Sequence, residues 1–301
     1  MVSSGLRPTS LIIGIGGGGD VVGALAAAKM LGGEPIVGGL TWERSVVDPQ
    51  PGPRKLSEIT GAQVLNEAVA VCKPETTGPG GFRFAEARVA ELTGQDTVLV
   101  DPHPAPAAIG AGIAAAAREL GCDEVVLLDV GGDALAHGNE PGLGSPLADA
   151  VLLAAAPAID LPVTAAVWGP GCDGELTLTE VQARIAEVWA AGGSRGVLGL
   201  TTAQVEELEP VVAAVPTEAS AMALRAARGH TGRTSIREGR RQVELSPIAG
   251  LLFLFDPDAT LRSAARLADA VRGAAGLREA NAILTRMGVR TELDYEISVA
   301  R

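Results

Sequence analysis

Four runs of residues carry the groups that could do chemistry. The first is Gly14-Ile15-Gly16-Gly17-Gly18-Gly19-Asp20. Amides in a glycine turn at the start of a helix point at an anion, and glycine accepts the positive φ such a turn needs. Gly16, Gly17, Gly18 and Gly19 are therefore expected to meet a ligand, with Asp20 beside them. No Gly-Lys-Ser/Thr follows, so this is not a Walker A loop. Gly14, Gly16 and Gly19 do spell GxGxxG. A dinucleotide site also wants an acid at the end of the second strand. Glu34 precedes that strand and Glu43 follows it late, which leaves hydride transfer with NAD a minor reading.

The second and third runs are acidic. Asp129-Val130-Gly131-Gly132-Asp133 and Gly169-Pro170-Gly171-Cys172-Asp173-Gly174-Glu175 each follow an apolar stretch, as does Asp101-Pro102-His103. In an open parallel sheet, ligands bind beyond the carboxyl ends of the strands. Asp101, His103, Gly131, Gly132, Asp133, Asp173 and Glu175 are thus expected at such an edge. His137 and Glu140 join them from the loop that continues to Ser145. Carboxylates gathered in one crevice raise each other's pKa. A divalent metal, sugar hydroxyls or arginines would compensate, and each implies a polar ligand. Asp133, His137 and Asp173 are the acid/base candidates. For a glycosidic bond, Asp133 and Asp173 would be the carboxylate pair. The bland alternative is that Asp20, Asp133 and Asp173 are helix N-caps.

The fourth run is basic. Arg225, Arg228, Arg233, Arg237, Arg240 and Arg241 cluster around His230 in a chain with 24 Lys plus Arg in all. Guanidinium forks suit carboxylate or phosphate. His230, Arg233 and Arg237 are expected to clamp an anion; a solvated face or a subunit contact is the alternative. Trp42, before Glu43 and Arg44, could stack on a flat ligand, but a partly buried edge tryptophan is the plainer reading.

These groups need a scaffold. Leu11–Ile15, Glu34–Leu40, Thr97–Val100, Glu124–Asp129, Pro162–Trp168, Gly196–Leu200 and Leu251–Phe255 read as strands. Asp20–Leu31, Arg83–Leu92, Ala105–Leu120, Pro146–Ala156, Thr179–Ala191, Leu261–Val271 and Leu277–Met287 read as helices. Apolar strands alternating with helices predict an α/β protein, its mostly parallel sheet covered on both faces. Residues 1–301 are expected to form a single domain, with irregular insertions near 42–58, 74–81 and 229–246.

Composition narrows the classes. Hydrophobic residues make up 47% and charged residues 20%, too apolar for a disordered chain. The net charge of −12 opposes nucleic-acid binding, which needs a basic surface. Cys72, Cys122 and Cys172 lie about 50 residues apart without a CxxC pair, which suits neither a disulfide framework nor a zinc site. Met1–Ser10 and the short apolar run after it make no leader, and Ala105–Ala117 is too short to span a bilayer. A cytoplasmic protein that binds no membrane is expected; homo-oligomerisation is left open.

LIIGIGGGGDVVGAL, LLDVGGDALAHGNEPGLGSPLADA, HTGRTSIREGRR and LSPIAGLLFLFDP together resemble the bacterial and archaeal family catalogued as domain of unknown function 1152, over nearly the whole chain. The resemblance implies one Rossmann-like α/β unit and a site at these glycine and aspartate motifs. It implies no reaction.

The residues favour an enzyme that hydrolyses, or transfers a group on, a nucleotide, nucleoside or sugar phosphate. Its partner would be a small anionic molecule. An alternative is a magnesium- or manganese-dependent hydrolase using Asp101, His103, Asp129, Asp133 and His137, because oxygen-rich ligands favour these ions over zinc. A non-enzymatic nucleotide or metabolite binder is the third reading.

Overall fold

The computed structural model describes residues 9–300. Strand β1 (Ser10–Gly14) is buried along its whole length. It pairs in parallel with β2 (Ile36–Leu40) on one side and β6 (Glu124–Val130) on the other. The full sheet reads β3 (Gln63–Val64), β4 (Val69–Cys72), β5 (Thr97–Val100), β2, β1, β6, β7 (Val163–Trp168), β11 (Leu251–Phe255) and β8 (Ser194–Gly199). Only β4 and β11 run against the others. The architecture is therefore the expected Rossmann-like α/β type. Strands β9 (Gly232–Ile236) and β10 (Arg241–Leu245) form a separate antiparallel hairpin.

Side chains alternate across a strand, so apolar strands feed two cores at once. Leu11 and Ile13 of β1, with Val125 and Leu127 of β6, enter one core. Ile12, Val126 and Leu128 enter the other. Helices α3 (Pro106–Glu119), α4 (Leu147–Ala154), α5 (Leu178–Ala190), α8 (Pro257–Ser263), α9 (Arg266–Val271) and α10 (Leu277–Arg286) cover the first face. Helices α1 (Asp20–Leu31), α2 (Ala85–Thr93), α6 (Thr202–Ala214) and α7 (Glu218–Ala227) cover the second. Helix α11 (Glu292–Val299) closes the described chain.

Three expectations change. The region 229–246 is not irregular: GRTSI and RQVEL pair as the β9–β10 hairpin. Its loop has no Asn-Gly or Asp-Gly signal; Arg237 and Glu238 instead take positive φ, 51° and 57°. The predicted helix Leu261–Val271 is two helices, α8 and α9, interrupted at Ala264 and Ala265. A short hairpin, β3–β4, extends the sheet where no strand was expected, because β3 has only two residues, both exposed. The leader expectation at Met1–Ser10 falls mostly outside the described residues. No described helix is long and apolar enough to cross a membrane.

The strand order places a switch point beside β1. From β1 the chain moves to β2 on one flank and later returns to β6 on the other. Ligands of such sheets bind in the crevice that this reversal opens. Two close approaches hold that crevice in shape. A Cβ on Gly23 of α1 would stand 2.3 Å from Val130 Cγ2 of β6, and one on Gly38 of β2 would stand 2.5 Å from the Val98 carbonyl oxygen of β5.

Gly23→Ala should therefore push α1 off β6 and cost about 1–3 kcal/mol, as overpacked positions do. Chemical denaturation checks this; an unshifted midpoint would show that α1 can retreat without loss.

Candidate functional site

A cleft of about 420 Å³ opens at the carboxyl ends of β1, β2, β6 and β7. Ten carboxylates and five arginines line it, so its walls are net acidic and the protein must hold protons, or a ligand must bring positive charge.

The glycine turn builds one wall. Gly17, Gly18 and Gly19 have φ of 73°, 48° and 127°, values that a side chain would strain. The turn does not leave all its amides free. Gly16 N–H donates to Asp20 Oδ2 at 3.2 Å and Gly18 N–H to the Trp42 carbonyl at 2.8 Å. Val130 N–H also reaches Asp20 Oδ2, at 3.3 Å. A carboxylate of the chain itself thus holds part of the place where a bound phosphate would sit in a simple glycine-turn site. Asp20 does not cap its helix, and Gly19 occupies the N-cap position.

The floor is a set of aspartates. One oxygen from each of Asp20, Asp129 and Asp149 lies within 4.8 Å of the others; Asp133, Asp173 and Glu175 form a second such group. Asp129 accepts from Ala134 N–H at 3.1 Å. Asp133 opens a short turn without capping it. Asp173 accepts from Glu175 N–H at 3.2 Å, while α5 is capped by Thr177 instead. The capping alternative therefore holds for none of Asp20, Asp133 and Asp173. Burial, then the neighbouring acids, pushes Asp129, Asp133 and Asp149 well above the ordinary carboxylate range. Burial pushes Asp20, Asp173 and Glu292 up to about 7.

The two groups differ in compensation. Glu175 accepts from Gly144 N–H at 2.7 Å, from Ser145 N–H at 2.8 Å and from the Ser145 hydroxyl. Arg241 Nη1 stands 3.1 Å from its Oε1, and Arg237 Nη2 stands 3.7 Å away. Among the described residues, no ion pair involves Asp20, Asp129 or Asp149. Three of the five cleft arginines, Arg237, Arg240 and Arg241, come from the β9–β10 hairpin. Its tip is fixed by Glu218 of α7, which accepts from Arg237 N–H at 2.8 Å and pairs with Arg44 at 3.1 Å. Burial, then Arg241, lowers the Arg237 pKa.

Several expected residues lie elsewhere. Asp101 accepts from Leu56 N–H at 3.2 Å and meets His103 Nδ1 at 2.7 Å, beyond β2 from the cleft. His137 Nε2 stands 2.9 Å from both Glu187 and Arg184; burial, then Arg184, lowers its pKa. Glu140 collects the amides of His137, Gly138 and Asn139 and so ties its own loop. His230 and Arg233 are exposed and off the cleft lining. The metal set drawn from Asp101, His103, Asp129, Asp133 and His137 does not converge, because only Asp129 and Asp133 reach the cleft. Gly131 and Gly132 lie just behind it: a Cβ on Gly131 would strike the Asp173 carboxyl. Trp42 is buried at the cleft wall, its indole N–H donating to Glu296.

The sequence reading did not pick out Asp149 or Glu292, and it named Arg241 in the basic run without placing it in the clamp. Asp149 had a signal: it is the one acid in α4, LADAVLLA, where every residue is buried. Glu292 had none, since it reaches from α11 to accept Leu147 N–H at 3.0 Å and Ala148 N–H at 2.8 Å.

Fold and cleft define an α/β protein with an acid-floored crevice at its switch point. A family model described as protein of unknown function (DUF1152) matches residues 11–300, and the chain belongs to that family. Neither the curated proteins nor the solved structures gave a match.

Buried Glu43, in the cleft wall, and buried Glu86, behind it, repel each other electrostatically. Glu43 accepts from Ala85 N–H at 2.5 Å, and burial raises it to about 7. Glu86 Oε2 lacks a hydrogen-bond partner, and burial, then Glu43, raises it well above its usual value. The folded protein therefore holds protons here that the unfolded chain releases near pH 4.5. This pair's contribution to stability falls as pH rises from there through about 7. Glu86→Gln should stabilise the protein, by a margin that widens between pH 5 and pH 8. Melting temperatures across that range decide it; a margin independent of pH would contradict the reading.

Proposed function

We propose that this protein is an enzyme that hydrolyses, or transfers a group on, a small phosphorylated molecule of the nucleotide, nucleoside or sugar-phosphate type. The carrying observation is the opposition of Arg237 and Arg241 to a floor of buried aspartates within one cleft. Guanidinium groups match phosphate, and carboxylates accept hydrogen bonds from sugar hydroxyls. The cleft volume of about 420 Å³ falls in the range of small-molecule sites.

On this reading the phosphate lies toward the hairpin and the polyol part toward the aspartates. Asp173 is the leading acid/base group. Its pKa of about 7 lets it give or take a proton near neutrality, and it sits beside both arginines. Asp133 shares its group and is held protonated more firmly by burial and its acidic neighbours. It would donate a hydrogen bond or a proton to a leaving oxygen. Gly131 leaves the space in which the Asp173 carboxyl stands. The glycine turn would contact the ligand edge-on. His137 takes no part.

Ligands stabilise the state they bind. Nucleotides or sugar phosphates should raise the melting temperature of the full chain, and their dephosphorylated forms should raise it less. Arg237→Gln should remove that phosphate-dependent increment. Asp173→Asn should keep the increment and abolish turnover followed by phosphorus NMR. No response to any phosphorylated compound would sink the proposal, and binding without turnover would make this a binding protein.

A further inference from the structure

The two acidic groups on the cleft floor are not equivalent, and the difference points to a cation. Glu175, in the group with Asp133 and Asp173, is neutralised from within by Arg241 and by the amides of the 144–145 turn. Asp20, Asp129 and Asp149 have no cationic partner among the described residues, although Asp129 and Asp149 are almost wholly enclosed, at 1% and 2% exposure. Carboxylates gathered without compensation cost free energy. Asp20 and Asp129 are held by amides of the glycine turn and of the β6 loop. Asp149 is different: its Oδ1 is buried with no hydrogen-bond partner at all.

That oxygen faces the other acids through a gap that only glycine leaves. A Cβ on Gly16 would stand 3.3 Å from both Asp149 oxygens and 2.7 Å from Asp20 Oδ2. Gly16 does not have a positive φ, so backbone freedom does not explain glycine there; the space between two carboxylates does. Oxygens around a hard divalent ion stand about 2.1 Å from it, hence roughly 3–4 Å apart, close to the 4.8 Å limit within which these three lie. An all-oxygen set selects magnesium or manganese over zinc.

We infer that Asp20, Asp129 and Asp149 form a divalent-cation site, filled by Mg²⁺ or Mn²⁺, at the floor of the cleft. It rests on that cleft being the working site. The ion would offer its remaining positions to water and to oxygens of the bound anion, which supplies the positive charge that the arginine wall gives on the opposite side. The expected set of Asp101, His103, Asp133 and His137 around Asp129 is replaced by residues from three different elements: the start of α1, the end of β6 and the first turn of α4.

The test uses the full chain stripped of metal by chelation. Titrated with Mn²⁺ and followed by electron paramagnetic resonance, it should bind one ion per chain, displaced by Mg²⁺. Asp149→Asn keeps the side-chain shape and relieves buried charge, so it should fold at least as stably while weakening Mn²⁺ binding on the order of tenfold or more. Gly16→Ala keeps every carboxylate, fills the gap and should weaken binding likewise. Asp173→Asn should leave Mn²⁺ affinity unchanged. The inference is overturned if the wild type binds no Mn²⁺, if Asp149→Asn binds as tightly as wild type, or if Asp173→Asn is the variant that loses the ion. Its failure is separable from that of the substrate reading. Phosphate-dependent thermal shifts that persist under chelation, with no Mn²⁺ bound, would remove the cation and keep the substrate class. Mn²⁺ binding without response to phosphorylated compounds would do the reverse.

Discussion

Everything at the cleft depends on keeping carboxyl groups crowded at the edge of a sheet that water scarcely reaches. Backbone amides aimed at most of its members help such a cluster persist. Asp20 takes two of them, Glu175 two and Glu292 two. Amide donors lower the cost of a buried carboxylate without adding net charge. They also fix loop geometry: the 14–20 turn folds around Asp20, the 142–145 turn around Glu175 and the start of α4 around Glu292. The acids are thus structural anchors for the loops that present them. A side chain that organises its own loop can be held within a fraction of an ångström, which acid/base chemistry demands.

The second constraint is polarity across the cleft. On one side the aspartates of α1, β6 and α4 lean together; on the other, Arg237 and Arg241 approach from the hairpin. A ligand with uniform charge would be repelled from one half. A molecule with an anionic end and a hydroxylated end would meet both, and the proposed cation between the aspartates would extend the positive surface inward. The glycine turn, at first sight a phosphate cradle, contributes in a different way: it brings Asp20 and Asp149 close and lets Trp42 seal the flank.

Much of the scaffold was legible in the sequence, because apolar strands and Ala-rich helices state their partners plainly. Helix Asp20–Leu31 and strands Thr97–Val100 and Leu251–Phe255 have the same limits in sequence and structure. The β9–β10 hairpin was not legible, since its loop puts Arg237 and Glu238 where glycine or asparagine is usual. Strand-end reasoning reached Asp20, Asp133, Asp173 and Glu175. It also reached Asp101, which ends a strand on the far side of β2 and serves the 56 and 103 turns instead. Strand order, which local pattern does not encode, separates these cases. Histidines misled for a related reason: their chemistry is visible in sequence, but His137 faces α5 and His103 faces Asp101.

The hairpin bonds to no strand of the main sheet and rests against α7 and the 247–250 turn. Three of the five cleft arginines therefore belong to a unit that the nine-stranded scaffold does not need for its own register. On the proposed function, sequence drift in that unit would redirect ligand preference from one anionic headgroup to another while the acidic half, locked into the central strands, stays as it is. Within the family, divergence in selectivity should accumulate in the hairpin, and the shared chemistry should remain with the aspartates.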